Sequence, residues 1–133
     1  MNPRQLKVVF GENYRIDVEY HGFTIKTDQP VQDGGDGTQP SPFDLFLASL
    51  ASCAGYYALA FCRERKIATE GLAVTMTFER PEGSRLIDKF LIHLTPPAGF
   101  PEKYRAALVK SVDHCTVKAH LDRPPRFETV LEP

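Results

Sequence analysis

One stretch constrains the fold more than any other. From Leu45 to Cys62 the chain runs eighteen residues, LFLASLASCAGYYALAFC, without a charge. Helix signals bracket it. Ser41 suits the N-cap, Pro42 the first helical position, and Asp44 completes a capping box at the positive end of the helix dipole. Arg63, Arg65 and Lys66 supply the basic end, so a helix is predicted over residues 41–66. A surface helix has one apolar stripe, whereas this one is apolar or small on all sides and is expected to be buried all round. Its length also touches that of a membrane span. However, eight of the eighteen residues are Ala, Ser or Gly, and no second apolar run exists, which favours a core helix.

Cys53 lies at the middle of this stretch, among Ala48, Ser49, Ala51, Ser52, Ala54 and Gly55, whose small side chains let other backbones approach. Turning the helix at about 100° per residue puts Phe46, Ser49, Leu50, Tyr57, Ala60 and Glu64 on the side of Cys53. Asp44 and Cys62 fall on the other side. Cys62 is also roughly 13 Å further along the axis, beyond the reach of a disulfide to Cys53.

A chain of 133 residues is expected to form a single domain, 1–133, with a modest core. The net charge is −1 and the signs are mixed, so no basic stripe points to nucleic acid and no polybasic tail to a membrane surface. The N-terminal segment lacks the apolar core of a signal peptide, and the expected location is cytoplasmic, where thiols stay reduced. Three cysteines without a CxxC spacing make neither a disulfide framework nor a zinc site. His114-Cys115 with His120 is the only local cluster that suggests a metal, and its spacing matches no familiar zinc pattern. No metal or other cofactor is expected. The glycine-rich Gly34-Gly35-Asp36-Gly37 matches neither phosphate-binding fingerprint, and the aspartates of its loop would repel an anion.

Along the rest of the chain, residues 6–10 and 14–20 read as a half-buried hairpin and residues 23–27 as a further strand. The loop 28–40 reads as irregular and flexible. Leu72, Val74, Met76 and Phe78 alternate with polar or small residues as a strand, and residues 86–95 return as its partner after a turn at 80–84. Pro101 opens a second helix ending near His114, a short helical piece follows over 115–120, and residues 127–131 read as a final strand. This order indicates an α+β domain with antiparallel sheet. So apolar a helix in so small a domain suggests sheet on one side and a second copy of the chain on the other, hence a homodimer.

Two motifs carry a resemblance. SPFDLFLASLASC, a Ser-Pro-x-Asp/Glu-Leu opening into an Ala-rich helix with a central cysteine, and CTVKAHL, a second cysteine about sixty residues later, are similar to the OsmC/Ohr family, that of osmotically induced protein OsmC and organic hydroperoxide resistance protein Ohr. The resemblance implies an OsmC-like fold, with antiparallel sheets around a long buried central helix in an intertwined homodimer. It further implies a thiol peroxidase for organic hydroperoxides, without metal or haem, in oxidative or osmotic stress defence and reset by an external dithiol. By position Cys53 matches the peroxidatic cysteine and Cys115 the resolving one. The chain departs from the hydroperoxide-resistance branch in three places. Phe43 stands at the glutamate position, no motif marks the arginine partner (Arg15, Arg85 or an arginine of a second subunit), and Thr116 stands where many relatives carry proline. These departures place it nearer the general OsmC-like proteins.

The chemistry asks for an acidic thiol. Cys115 opens a short helix, where backbone N–H groups and His114 would favour a thiolate. Cys53, deep in a helix among apolar residues, would have its pKa raised by burial and would need a cation from elsewhere. Other readings of the same residues are a buried, inert Cys53, a module that holds a lipid-like or aromatic ligand in an apolar dimer-interface pocket beside Tyr56 and Tyr57, and a structural or redox-sensing dimer. Cys62 reads as core or rim, and His21, His93, His114 and His120 as surface or strand residues.

Overall fold

A computed structural model describes residues 4–133; the first three residues of the expected domain lie outside the described residues. The fold is α+β, as the order of elements predicts. Two compact units are present, Met1–Ala48 and Ser49–Pro133.

The first unit is an antiparallel meander of β1 (Lys7–Phe10), β2 (Ile16–Tyr20) and β3 (Phe23–Thr27). Its register lines up Val8, Val18 and Ile25 across the three strands, with Phe10 opposite Ile16. The strand period of two puts these side chains on one face. That face is far from the half-buried surface expected: Val8 is 48% exposed, Phe10 78% and Phe23 71%. The β2–β3 turn is tight, with His21 at φ 55° and Gly22 at φ 78°, the doubly left-handed geometry that matches the twist of paired strands.

The loop after β3 is a correction to the flexible lead-in expected. Asp28, fully buried, organises it. One carboxylate oxygen accepts from the Thr38 N–H at 3.0 Å and the Thr38 hydroxyl at 2.6 Å, and the other from the Gln29 N–H at 2.7 Å. These bonds, with the Thr38 hydroxyl first, hold the Asp28 pKa down to about 2. A short 3-10 turn, Val31–Asp33, and backbone bonds from Gly35 to Pro30 and Gly37 to Gln29 complete the loop. Asn13 reaches across to donate to the Gly34 carbonyl at 2.9 Å. The prolines and glycines therefore set turns around one buried carboxylate.

Helix α1 (Pro42–Glu64) begins with the predicted capping box. The Ser41 N–H donates to the Asp44 carboxylate at 2.9 Å and the Asp44 N–H to the Ser41 hydroxyl at 3.1 Å. It ends in a Schellman motif: Lys66 adopts φ 57°, its N–H donates to the Arg63 carbonyl, and the Ile67 N–H donates to the Cys62 carbonyl. In the second unit one stripe of α1 is buried: Leu50, Ala54, Ala58, Phe61 and Cys62. Burial all round, expected from composition, is not found within one chain: Ser52 and Tyr56 are exposed, and Ala51, Gly55 and Ala60 half-buried. The reason is size, since a chain this short has too few elements to cover a helix on every side.

The hairpin of β4 (Ala73–Glu79) and β5 (Lys89–Thr95) pairs Val74 with Leu94, Met76 with Ile92 and Phe78 with Phe90. Val74, Ile92 and Leu94 pack against the core of Ala54, Ala58, Phe61, Leu108 and Val112. Leu108 and Val112 come from α2 (Arg105–Asp113), and α3 (Thr116–Asp122) follows after Cys115. Residues 127–131 form no strand; Phe127 is 91% exposed and Leu131 95%. A strand needs a neighbour for its N–H and C=O groups, and among the described residues none pairs with this segment.

Candidate active site

The helix register decides where Cys53 points. Cys53 lies one position before Ala54 of the buried stripe, so its side chain sits at the edge of that stripe, half-buried. Cys115 occupies the break between α2 and α3, the N-cap position of α3, and is 3% exposed. Val112, buried one turn earlier in α2, anchors that break to the core. The two thiols are free and close enough for each to shift the ionisation of the other. The sequence placed both cysteines on helices; the fold brings them together.

Burial acts first on the Cys53 thiol and pushes its pKa up. The Cys115 thiol and the N–H groups of Val117 and Thr116 outweigh it, so Cys53 ends below the usual thiol value. Cys115 goes the other way. Burial raises it, the bond to Cys53 raises it further, and the N–H groups of Lys118 and Val117 only partly oppose this. The physical picture is two thiols with one proton between them: the first ionisation leaves the charge on Cys53, where three donors meet it. This reverses the expectation for each cysteine. The first turn of α3 is expected to serve the residue that opens it, whereas its Thr116 N–H serves the sulfur across from it and its Val117 N–H acts on both. Cys62, fully buried, has its thiol raised by burial, with Arg65 a partial counterweight, and faces away from the pair.

Around the pair, the Tyr57 hydroxyl, one turn beyond Cys53 on α1, is hydrogen-bonded to the Thr116 hydroxyl at 3.1 Å. His120 Nδ1 donates to the Thr116 carbonyl at 2.8 Å. Asp113 and Lys118 pair at 3.2 Å. A cavity of about 380 Å³ opens beside them, with Leu50, Met76, Phe90, Ile92 and Leu121 as its apolar lining and Asp113, Lys118 and Asp122 as its charged residues. Tyr56 and Tyr57 do not line this cavity; the pocket expected beside them is one between two copies of the chain. Neither tyrosine nor Thr116 was singled out for the dithiol by sequence spacing, although Tyr57 at four residues from Cys53 was legible as a neighbour on its face.

The other residues weighed fall elsewhere. Asp44 caps α1, as expected, and Phe43 stacks on Phe46 with ring centroids 5.6 Å apart. Arg15, in the first unit, keeps a buried Nε without a hydrogen-bond partner among the described residues. Arg85 is exposed in the β4–β5 loop. Among the described residues no cluster of three or more His, Cys, Asp or Glu is placed to hold a metal.

Similar proteins follow from this geometry. No protein of curated function matches the chain. An osmotic stress induced and detoxification response protein from Psychrobacter arcticus shares the fold with a TM-score of 0.73 at 24% identity, over 90% of this chain and 88% of that one. An OsmC-like protein from Mycoplasma pneumoniae superposes with a TM-score of 0.68 at 17% identity, over 91% and 88%. An organic hydroperoxide resistance protein OsmC from Legionella pneumophila gives 0.55 at 20% identity, over 91% and 90%. Residues 35–130, which include both cysteines, the core and the helices that carry them, match the family described as OsmC-like protein, and the chain belongs to that family.

Proposed function

We propose that this protein is a cysteine-based thiol peroxidase that reduces organic hydroperoxides, with Cys53 as the attacking thiolate and Cys115 as the resolving thiol. The observation that supports it best is the juxtaposition of two free thiols, Cys53 half-buried and Cys115 buried, that act on one another so that Cys53 is the more acidic. A thiolate is the nucleophile such chemistry needs, and an accessible, acidified one beside a second thiol has the arrangement of a peroxide-reducing dithiol. The likeness to a protein named for organic hydroperoxide resistance accords with this reading.

In the first step the Cys53 sulfur forms a bond to the terminal oxygen of ROOH as the O–O bond breaks. The leaving alkoxide takes a proton and departs as ROH, and Cys53 is left as the sulfenic acid. In the second, the Cys115 sulfur attacks Cys53, the S–O bond breaks, and the hydroxyl leaves as water with the Cys115 proton. An external dithiol then exchanges with the Cys53–Cys115 disulfide, returning two electrons and two protons and leaving as a disulfide. The protein works as a homodimer in the cytoplasm. The uncovered apolar face of β1–β3 and the small, half-buried residues along α1 are surfaces that a second copy would cover.

The test is intact-mass and peptide mapping of the reduced protein before and after one equivalent of cumene hydroperoxide, with Cys53→Ser and Cys115→Ser alongside. The expected result is loss of two hydrogens mapped to a Cys53–Cys115 bridge, with sulfenic acid trapped on Cys53 in Cys115→Ser. Thiols that stay unreacted in excess peroxide rule the enzyme out. A second reading, a non-catalytic dimer binding a small apolar ligand, draws on the apolar lining of the 380 Å³ cavity. It predicts ligand binding that survives Cys53→Ser with no turnover.

A further inference from the structure

Thr116 is the junction of the dithiol. It follows Cys115 in sequence and opens α3, and it is gripped from two sides: its hydroxyl by Tyr57 at 3.1 Å, its carbonyl by His120 Nδ1 at 2.8 Å. Tyr57 in turn sits four residues after Cys53, so both stand on the same face of α1, one above the other. The Tyr57–Thr116 hydrogen bond therefore ties the residue beside one cysteine to the helix that carries the other. Among the described residues it is the one side chain to side chain hydrogen bond between α1 and α3 that involves no cysteine.

We propose that Tyr57 is a positioning residue for the Cys53–Cys115 pair: acting through the Thr116 hydroxyl, it latches the first turn of α3 to the face of α1 that carries Cys53. Sulfur–sulfur bond formation tolerates only a narrow range of separations and torsions. A latch one turn from Cys53 and one residue from Cys115 holds the thiols in that range while Tyr57 packs against the core. It also keeps the Thr116 and Val117 N–H groups aimed at the Cys53 sulfur. The titratable group that acts on Cys53 is Cys115. Of the charged or titratable side chains nearby on α2 and α3, Asp113 and Lys118 are paired with one another and His120 is engaged by Thr116. Threonine supplies both an N–H and a hydroxyl here, whereas proline would supply neither.

This inference rests on the peroxidase reading for its biological meaning, but its first readout needs no peroxide. Full-length protein is alkylated with iodoacetamide across a pH series, and the rate at Cys53 is followed by peptide mass. Tyr57→Phe and Thr116→Val each remove one hydroxyl and keep shape and backbone. Each is expected to weaken Cys53 acidity by about threefold to tenfold, the net worth of one hydrogen bond expressed as an acidity ratio. Thr116→Ser restores the profile, and the double variant is no worse than either single one, because both break the same bond. After one equivalent of cumene hydroperoxide, closure of the Cys53–Cys115 disulfide slows in the same two variants. A Cys53 profile unmoved in Tyr57→Phe or Thr116→Val, or effects that add in the double variant, overturns the latch. A shifted profile in protein whose thiols ignore the hydroperoxide supports the latch and removes the peroxidase reading instead.

Discussion

At the scale of single residues, Asp28 and Gly35 show how much of the loop before α1 is fixed by chemistry rather than by regular structure. Asp28 has its pKa held near 2 chiefly by Thr38. A depressed carboxylate stabilises the fold fully above its ordinary pKa, and that contribution is lost as the pH falls through the lowered value. The Thr38 amide resonance is therefore expected to titrate with a midpoint of about 2. A midpoint near the ordinary aspartate value of about 3.9 would remove the argument. Gly35 is required by close approach: a Cβ there would collide with the Gln29 carbonyl. Gly35→Ala should cost about 2 kcal/mol, the usual scale of overpacking, read from urea unfolding. An unchanged midpoint would mean that the loop yields freely.

At the scale of elements, α1 does two jobs. Its capping box fixes where it starts, its Schellman motif where it stops, and the length between them sets the phase that presents Cys53 and Tyr57 on one face. The stripe Ala54, Ala58, Phe61 seats it on the hairpin and α2. Phe61 is 4% exposed, meets Tyr104 edge to face and Phe100 at a tilt, and carries the Arg65 guanidinium 3.6 Å above its face. Phe61→Ala should lower stability by about 3–5 kcal/mol. Ser41→Ala should lower it by only about 1 kcal/mol. Urea unfolding of the two variants checks the order; a cap loss as large as the core loss would mean that the helix is held by its end rather than by its packing.

At the scale of the whole molecule, the apolar face of β1–β3 and the half-covered α1 lead to the proposed homodimer. Lysines at Val8 and Ile25, which flank Val18 in one row across the uncovered face, should leave each chain folded but single by sedimentation, while the unaltered protein sediments at twice the mass. Unaltered protein that stays single at high concentration excludes the dimer. The family membership, the α+β class, the limits of α1 and its cap were legible in the sequence, because each rests on local signals: an uncharged run, a capping box, alternation, and two cysteine motifs. The segment 127–131 looked like a strand by composition and is not one, since pairing depends on a neighbour that composition does not reveal. The loop 28–40 looked flexible because its order comes from one buried carboxylate reaching Thr38, ten residues away. The acidity of the cysteines is hidden from the sequence for the same reason. Local sequence determined which residues open α3, but only the tertiary structure decided that its N–H groups face Cys53 across the core, because a hydrogen bond depends on distance in space and not on distance along the chain.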